Sequence, residues 1–218
     1  MQKPEKTVNP ADIQKFMSME LSKRDRIINA AMHEFRYGYK KASTDAIVQK
    51  AEISKGLLFH YFGSKEQLYA FLVNYAIEMV NSEILEMIDT EQRDLLESIW
   101  QMALLQRDIS NRHPSIYVFL NGVYAHRADI PNNEIAEMIM QKQEDALDEY
   151  YYRCDTGLLV DNIDSKKIIR LMLWAIAGFL EEEEVKNQDY EDFLKDLRSY
   201  LDIFRLRFYK KQDKNIKL

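Results

Sequence analysis

The sequence predicts an all-α protein, and three observations carry that expectation. Six glycines and four prolines in 218 residues leave few sites for the tight turns of an all-β sandwich. Apolar residues recur at spacings of three and four along most of the chain, which is the helical period. With 46% hydrophobic and 11% aromatic residues, the chain is not disordered and can bury a sizeable core. The pattern divides into an N-terminal extension (1–21), a three-helix head (22–66) and a longer helical body (67–218).

In the extension, Asn9-Pro10 can cap and start a short helix with Ile13, Phe16 and Met17 on one face. The segment reads as lying outside the main fold. From Ser22 on, Ile27, Ile28, Ala31 and Phe35 build one apolar helix face, and Gly38 stands where that helix stops. Ser43 or Thr44 supplies the cap of a short helix running through Ala51 and burying Ala46 and Ile47. Glu52-Ile53-Ser54 is a three-residue break, and Ser54 caps a further helix from Lys55 to about Tyr61. After Gly63, Ser64-x-x-Gln67 reads as a capping box opening a long helix. Leu68, Phe71, Leu72, Tyr75 and Met79 form its core face. The body is expected to hold helices near 91–112, 114–126, 131–154, 164–184 and 189–210, with Pro114 and Pro131 in first turns.

Charge is distributed unevenly. Residues 22–65 hold nine Lys/Arg against four acidic residues, a balance of +5, and residues 1–21 balance to zero. The chain's net −6 therefore places −11 after residue 65. A basic block on an acidic body suggests a head that binds a polyanion. The single Cys154 excludes an internal disulfide or a multi-thiolate zinc site and fits a reducing compartment. His113 and His126 match no common metal spacing. No base or second thiol marks Cys154 as a nucleophile. Neither a metal, a cofactor nor enzymatic activity is expected. The first ten residues hold no apolar stretch for a secretory leader. The longest apolar run, Leu171 to Leu180, is ten residues, half of the roughly 20 a bilayer requires. The expectation is a cytoplasmic protein with no membrane partner.

Two short helices across a three-residue turn, within 43–65, form a helix-turn-helix whose second helix fits a DNA major groove. Lys55 and the faces of Leu57, Leu58 and Phe59 are expected to approach base edges or thymine methyls. Gly56 removes a side chain where the helix start must come close. Thr44, His60, Tyr61 and Lys65 can donate to phosphates, Thr44 and Lys65 from helix N-termini. Ile47, Ala51, Ile53, Phe62 and Leu68 read as core that sets the angle of the motif.

At these positions the chain resembles the TetR family of transcriptional regulators. The residues that carry the likeness are Arg24, Ile27, Ala30, Ala31, Phe35, Gly38 and Thr44, followed by Ser54, Lys55, Gly56, Leu58, Phe59, Phe62, Ser64, Lys65 and Leu68. The match spans roughly residues 22–70, and the body agrees only in helix number and length. Two positions depart from the family pattern: Glu52 stands where glycine is frequent, and Phe59 where tyrosine is common. A left-handed Glu52 would cost about 1–2 kcal/mol.

The resemblance implies a three-helix DNA-binding head on a ligand-binding, dimerising body. It further implies a homodimeric repressor that leaves a palindromic double-stranded DNA operator when a small-molecule effector binds. The body's large side chains favour an apolar or aromatic effector. Trp100, Leu105, Tyr117, Leu120, Tyr124, Met138 and Trp174 are candidates for lining its pocket. Ile168, Leu171, Met172, Ala175 and Phe179 form one candidate dimer stripe; Leu197, Leu201 and Phe204, with Phe193 and Phe208, form the other. The alternative is a ligand-independent DNA-binding architectural protein with a filled body.

Overall fold

The computed structural model describes residues 9–89, 91–161, 163–186 and 190–210; residues 1–8 of the expected extension lie outside them. The described residues are helical in the order α1 (Pro10–Met17), α2 (Leu21–Phe35), α3 (Thr44–Ala51), α4 (Lys55–Phe62), α5 (Lys65–Met87), α6 (Leu95–Arg112), α7 (Pro114–Ala125), α8 (Asn133–Tyr150), α9 (Ser165–Lys186) and α10 (Tyr190–Phe208). Among them the β pairing is one isolated antiparallel bridge, Leu159 with Tyr209. The fold is all-α, and no described helix is long and apolar enough to cross a membrane.

Short-range chemistry sets the boundaries. The Asn9 side chain accepts from the Ala11 amide with Pro10 in the first turn of α1, the Ser43 hydroxyl accepts from Ala46, and the Ser54 hydroxyl from Leu57. At the start of α5 the Ser64 hydroxyl accepts from the Gln67 amide at 3.1 Å. Each bond satisfies a first-turn donor that would otherwise lack a partner. Pro114 opens α7, as its fixed φ favours. Pro131, by contrast, precedes its helix: α8 begins at Asn133, and the Asn132 carboxamide accepts from the Ile135 amide at 2.9 Å.

The chain forms two compact units. The first comprises the described residues through Glu83 together with Ile109–Lys142; the second comprises Ile84–Asp108 together with the described residues from Gln143. The first unit therefore extends past residue 66, because α2 packs against α7 as well as against α3. Its core gathers Ile27, Ala31, Phe35, Ile47, Leu58, Phe62, Leu68, Tyr69, Leu72 and Phe119, all buried. The N-terminal segment is not outside this core. Phe16 is fully buried and α1 packs on α4, because an aromatic side chain on a one-sided helix is removed from water only against a neighbour.

The second unit has its own core of Leu95, Ile99, Ile168, Ile169, Met172, Phe179, Phe193, Leu194, Leu197 and Leu201. One polar network ties the end of α10 to the start of α6. The Asp94 carboxylate accepts from Arg205 Nη1 at 3.0 Å, from the Tyr209 hydroxyl at 2.9 Å and from the Leu96 amide at 2.9 Å.

Candidate nucleic-acid interface

The helix-turn-helix is built by α3 and α4. Glu52 ends α3 in the left-handed conformation (φ 54°, ψ 46°), the geometry that glycine would adopt more cheaply. Its carboxylate accepts from Arg26 Nη1 at 3.0 Å, so the residue in glycine's place also links the turn to α2. Gly63, at φ 70°, ends α4.

The helical period sorts the side chains of α4. Leu58 and Phe62, four residues apart, face inward at 1% exposure each. Lys55, Gly56 and His60 are exposed, and Leu57, Phe59 and Tyr61 are half-buried. The expectation that Leu58 meets base edges is thereby corrected. It lies on the inward face with Phe62 and belongs to the core that fixes the helix.

Gly56 has no reason internal to the chain. A Cβ there would meet nothing nearer than the Ser54 hydroxyl at 4.0 Å, while glycine within a helix costs about 1 kcal/mol relative to alanine. Lys55 Nζ contacts Asp45 Oδ1 on α3 at 2.7 Å, with both side chains well exposed. Such a pair is worth little in water and is readily exchanged for a phosphate. Thr44 is half-buried in the first turn of α3. Lys65 is half-buried at the start of α5, its ammonium 4.5 Å from the centre of the Tyr39 ring, and burial pushes its pKa down.

Thr44, Lys55, Gly56, Phe59, His60, Tyr61 and Lys65 thus cluster on α3, α4 and the start of α5. Three side chains that contact these candidates escaped the sequence reading. Asp45 holds Lys55, Tyr39 carries Lys65, and Phe16 lies under Tyr61 with ring centroids 5.6 Å apart. Only Tyr39 had a local signal, an aromatic residue directly after the helix-stopping Gly38. Lys41 and Lys50 add exposed positive charge, and Lys40 pairs with Asp129 at 2.9 Å.

The stripes expected at a dimer interface need correction. Ile168, Met172, Phe179, Leu197 and Leu201 are buried in the second unit's own core and have no surface left for a partner; Phe193 is buried there too. Phe204 and Phe208 are half-buried against that core. Leu171 and Ala175 are exposed. The outward apolar positions are Leu171, Trp174 (66% exposed) and Ala175 on α9, with Tyr200, Ile203 and Leu206 (73% exposed) on α10. Both faces of these helices are apolar, so the period alone did not distinguish inside from outside.

The seven candidate pocket residues are distributed over both units. In the first, Leu120 is buried, Tyr117 and Met138 are half-buried and Tyr124 is exposed. In the second, Leu105 is half-buried and Trp174 exposed. Trp100 alone of the seven lines a groove of about 540 Å³ between α6 and α10, alongside Leu104, Leu194 and Arg198.

Comparison with known proteins agrees with this geometry. Residues 27–71 match the family model of the bacterial regulatory proteins of the tetR family. A TetR family transcriptional regulator from Chloroflexus aurantiacus superposes with a TM-score of 0.66 at 17% identity, covering 91% of this chain and 98% of its own. GusR of Salmonella enterica superposes with a TM-score of 0.60 at 20% identity, covering 87% and 95%. Among curated proteins, the nucleoid occlusion factor SlmA of Vibrio vulnificus is 25% identical over 126 residues, 57% of this chain. The match spans 62% of that relative's length, less than two thirds. Residues 27–71 thus carry the DNA-binding signature of the bacterial regulatory proteins of the tetR family, on an all-α fold like that of solved TetR family regulators.

Proposed function

We propose that this regulator is a homodimeric repressor that binds a palindromic operator through α3, α4 and the start of α5, and leaves it when a small, largely apolar effector binds the body. The observation that carries the DNA-binding half is Gly56. Its missing side chain serves nothing in the chain and suits a helix start pressed against a duplex. Lys55, Phe59 and His60 would then read the groove, with Thr44, Tyr61 and Lys65 on phosphates. The dimer would form through Leu171, Trp174, Tyr200, Ile203 and Leu206, an apolar set too exposed to be left in water. Two recognition helices about 34–36 Å apart would fit successive major grooves. An effector would act only through unequal affinity for the operator-competent and released states. A cytoplasmic location suits this role.

Selection of bound sequences from random duplex DNA, at a stated salt concentration, tests the reading. A recovered palindrome supports it and supplies a probe for effector screening; recovery of unrelated sequences overturns it. For the dimer, Trp174→Glu should turn a dimer into a folded monomer in analytical ultracentrifugation. An unchanged sedimentation coefficient would remove α9 from the interface.

A second reading, DNA binding without an effector, is favoured by the likeness to proteins named nucleoid occlusion factors. Operator binding that no small molecule releases would select it.

A further inference from the structure

Phe16 is fully buried, and two of the three rings packed on it belong to α4. Its ring lies edge-on to Tyr61 at 5.6 Å and to Phe62 at 4.8 Å, both on α4, and edge-on to Phe71 on α5 at 5.6 Å. Ile13 and Met17 flank it, half-buried. The far end of α1 is tied down separately, since Arg24 Nη1 on α2 donates to the Met17 carbonyl at 3.0 Å.

A helix of eight residues does not hold itself. The inward residues Leu58 and Phe62 fix the depth of α4, but two anchors on one face leave rotation about the helix axis weakly determined. That rotation decides which edges Lys55, Phe59 and His60 present. Tyr61 lies off the inward line, half-buried, and its ring is held at the side by Phe16. Edge-to-face aromatic contacts have a preferred geometry and so resist rotation as well as separation.

We propose that Phe16 is a positioning residue for operator recognition: through Tyr61 and Phe62 it sets the axial rotation of α4, so that α1 is a working part of the DNA-reading head. The inference rests on α4 being the helix that enters the groove. Phe16 itself touches no base. Its loss should lower discrimination between sequences while leaving the charge-dependent attraction to the phosphate backbone intact, because the lysines are untouched.

The test uses the full chain, as wild type, Phe16→Ala and Phe16→Leu, with fluorescence anisotropy on the selected operator and on an unrelated duplex. Circular dichroism fixes a temperature at which each variant is folded. Phe16→Ala should lower the ratio of operator to unrelated-duplex affinity about tenfold, as one or two misread base pairs would. Unrelated-duplex affinity should fall by less than operator affinity, through the Tyr61 contact alone, and its salt slope should stay as in wild type. Phe16→Leu, which refills much of the volume without the ring, should show a smaller loss in the same direction.

A purely structural role would lower the melting temperature and leave the ratio unchanged, and that result overturns the proposal. If Phe16→Ala does not fold, an unchanged ratio in Phe16→Leu overturns it equally. A wild-type protein with no preference between the two duplexes would overturn the interface reading and this inference with it. A selective wild type with equally selective variants overturns this inference alone.

Discussion

Gly122 lies against the backbone of Arg36: a Cβ at residue 122 would stand 2.3 Å from the Arg36 carbonyl oxygen and 2.7 Å from its Cα. Here α7 reaches the C-terminal end of α2 closely enough to exclude any side chain. Neither contact can yield by a rotamer change, since both atoms are backbone. Gly122→Ala should therefore lower stability by about 1–3 kcal/mol, overriding the helix-propensity gain of alanine. Thermal unfolding measures it. A melting temperature at or above wild type would show that α7 can move away from α2 without cost.

What the sequence disclosed, and what it did not, follows from the range of the forces involved. Ser43, Ser54 and Ser64 mark helix starts by bonds to amides three residues away, so the helix-turn-helix was legible from short-range chemistry. On α5 the period was right but the face was displaced. Tyr69, Val73, Ala76 and Val80 are buried with Leu68 and Leu72, whereas Phe71, Tyr75 and Met79 are half-buried. A helix apolar on most sides does not reveal which stripe turns inward until its neighbours are placed. Phe16 meets Tyr61 across forty-five residues of sequence, and Gly122 meets Arg36 across still more. No local pattern announces either contact. The reading of Leu58 as a base contact failed because α4 has only two turns, too few for a period to choose a side.

That correction has a direct check in the pair Leu58→Ala and Phe59→Ala. Leu58 is 1% exposed, so its truncation should cost about 2–5 kcal/mol of stability. Phe59 is half-buried on the outward side. Its truncation should cost less stability than that of Leu58, yet weaken operator binding at a temperature where both variants are folded. Chemical denaturation and anisotropy separate the two effects. A larger stability loss for Phe59 than for Leu58 would reverse the assignment of faces.

Lys65 offers a test that depends on charge alone. Its ammonium rests over the Tyr39 ring, where a cation is held without neutralisation. If it meets a phosphate, Lys65→Ala should weaken binding to every duplex and reduce the slope of log K against log salt by about one. Tyr39→Leu keeps the charge and removes its platform, so affinity should fall with the slope retained. Equal slopes for wild type and Lys65→Ala would take Lys65 off the DNA.

Asp94 should contribute to acid sensitivity. Burial pushes this carboxyl upward, but hydrogen bonds from Arg205, Tyr209 and the Glu97 amide, with the Arg205 charge, hold it below its ordinary value. A carboxylate depressed in the folded state contributes stability that is fully present above its unfolded pKa, about 3.9. That contribution is lost as pH falls through the lower folded value. Asp94→Asn should thus be less stable than wild type at pH 7, with the difference shrinking as pH drops below about 4. Asp94→Ala also abandons the amides of Leu96 and Glu97, accepted at 2.9 and 3.2 Å. It should be worse than Asn by about 1 kcal/mol, the usual cost of removing a side chain that caps a first turn. Denaturant melts of the three proteins from pH 7 to pH 3 would show this ordering. A wild-type to Asn difference that stays constant over that range would mean that the Arg205 and Tyr209 contacts do not favour the charged form.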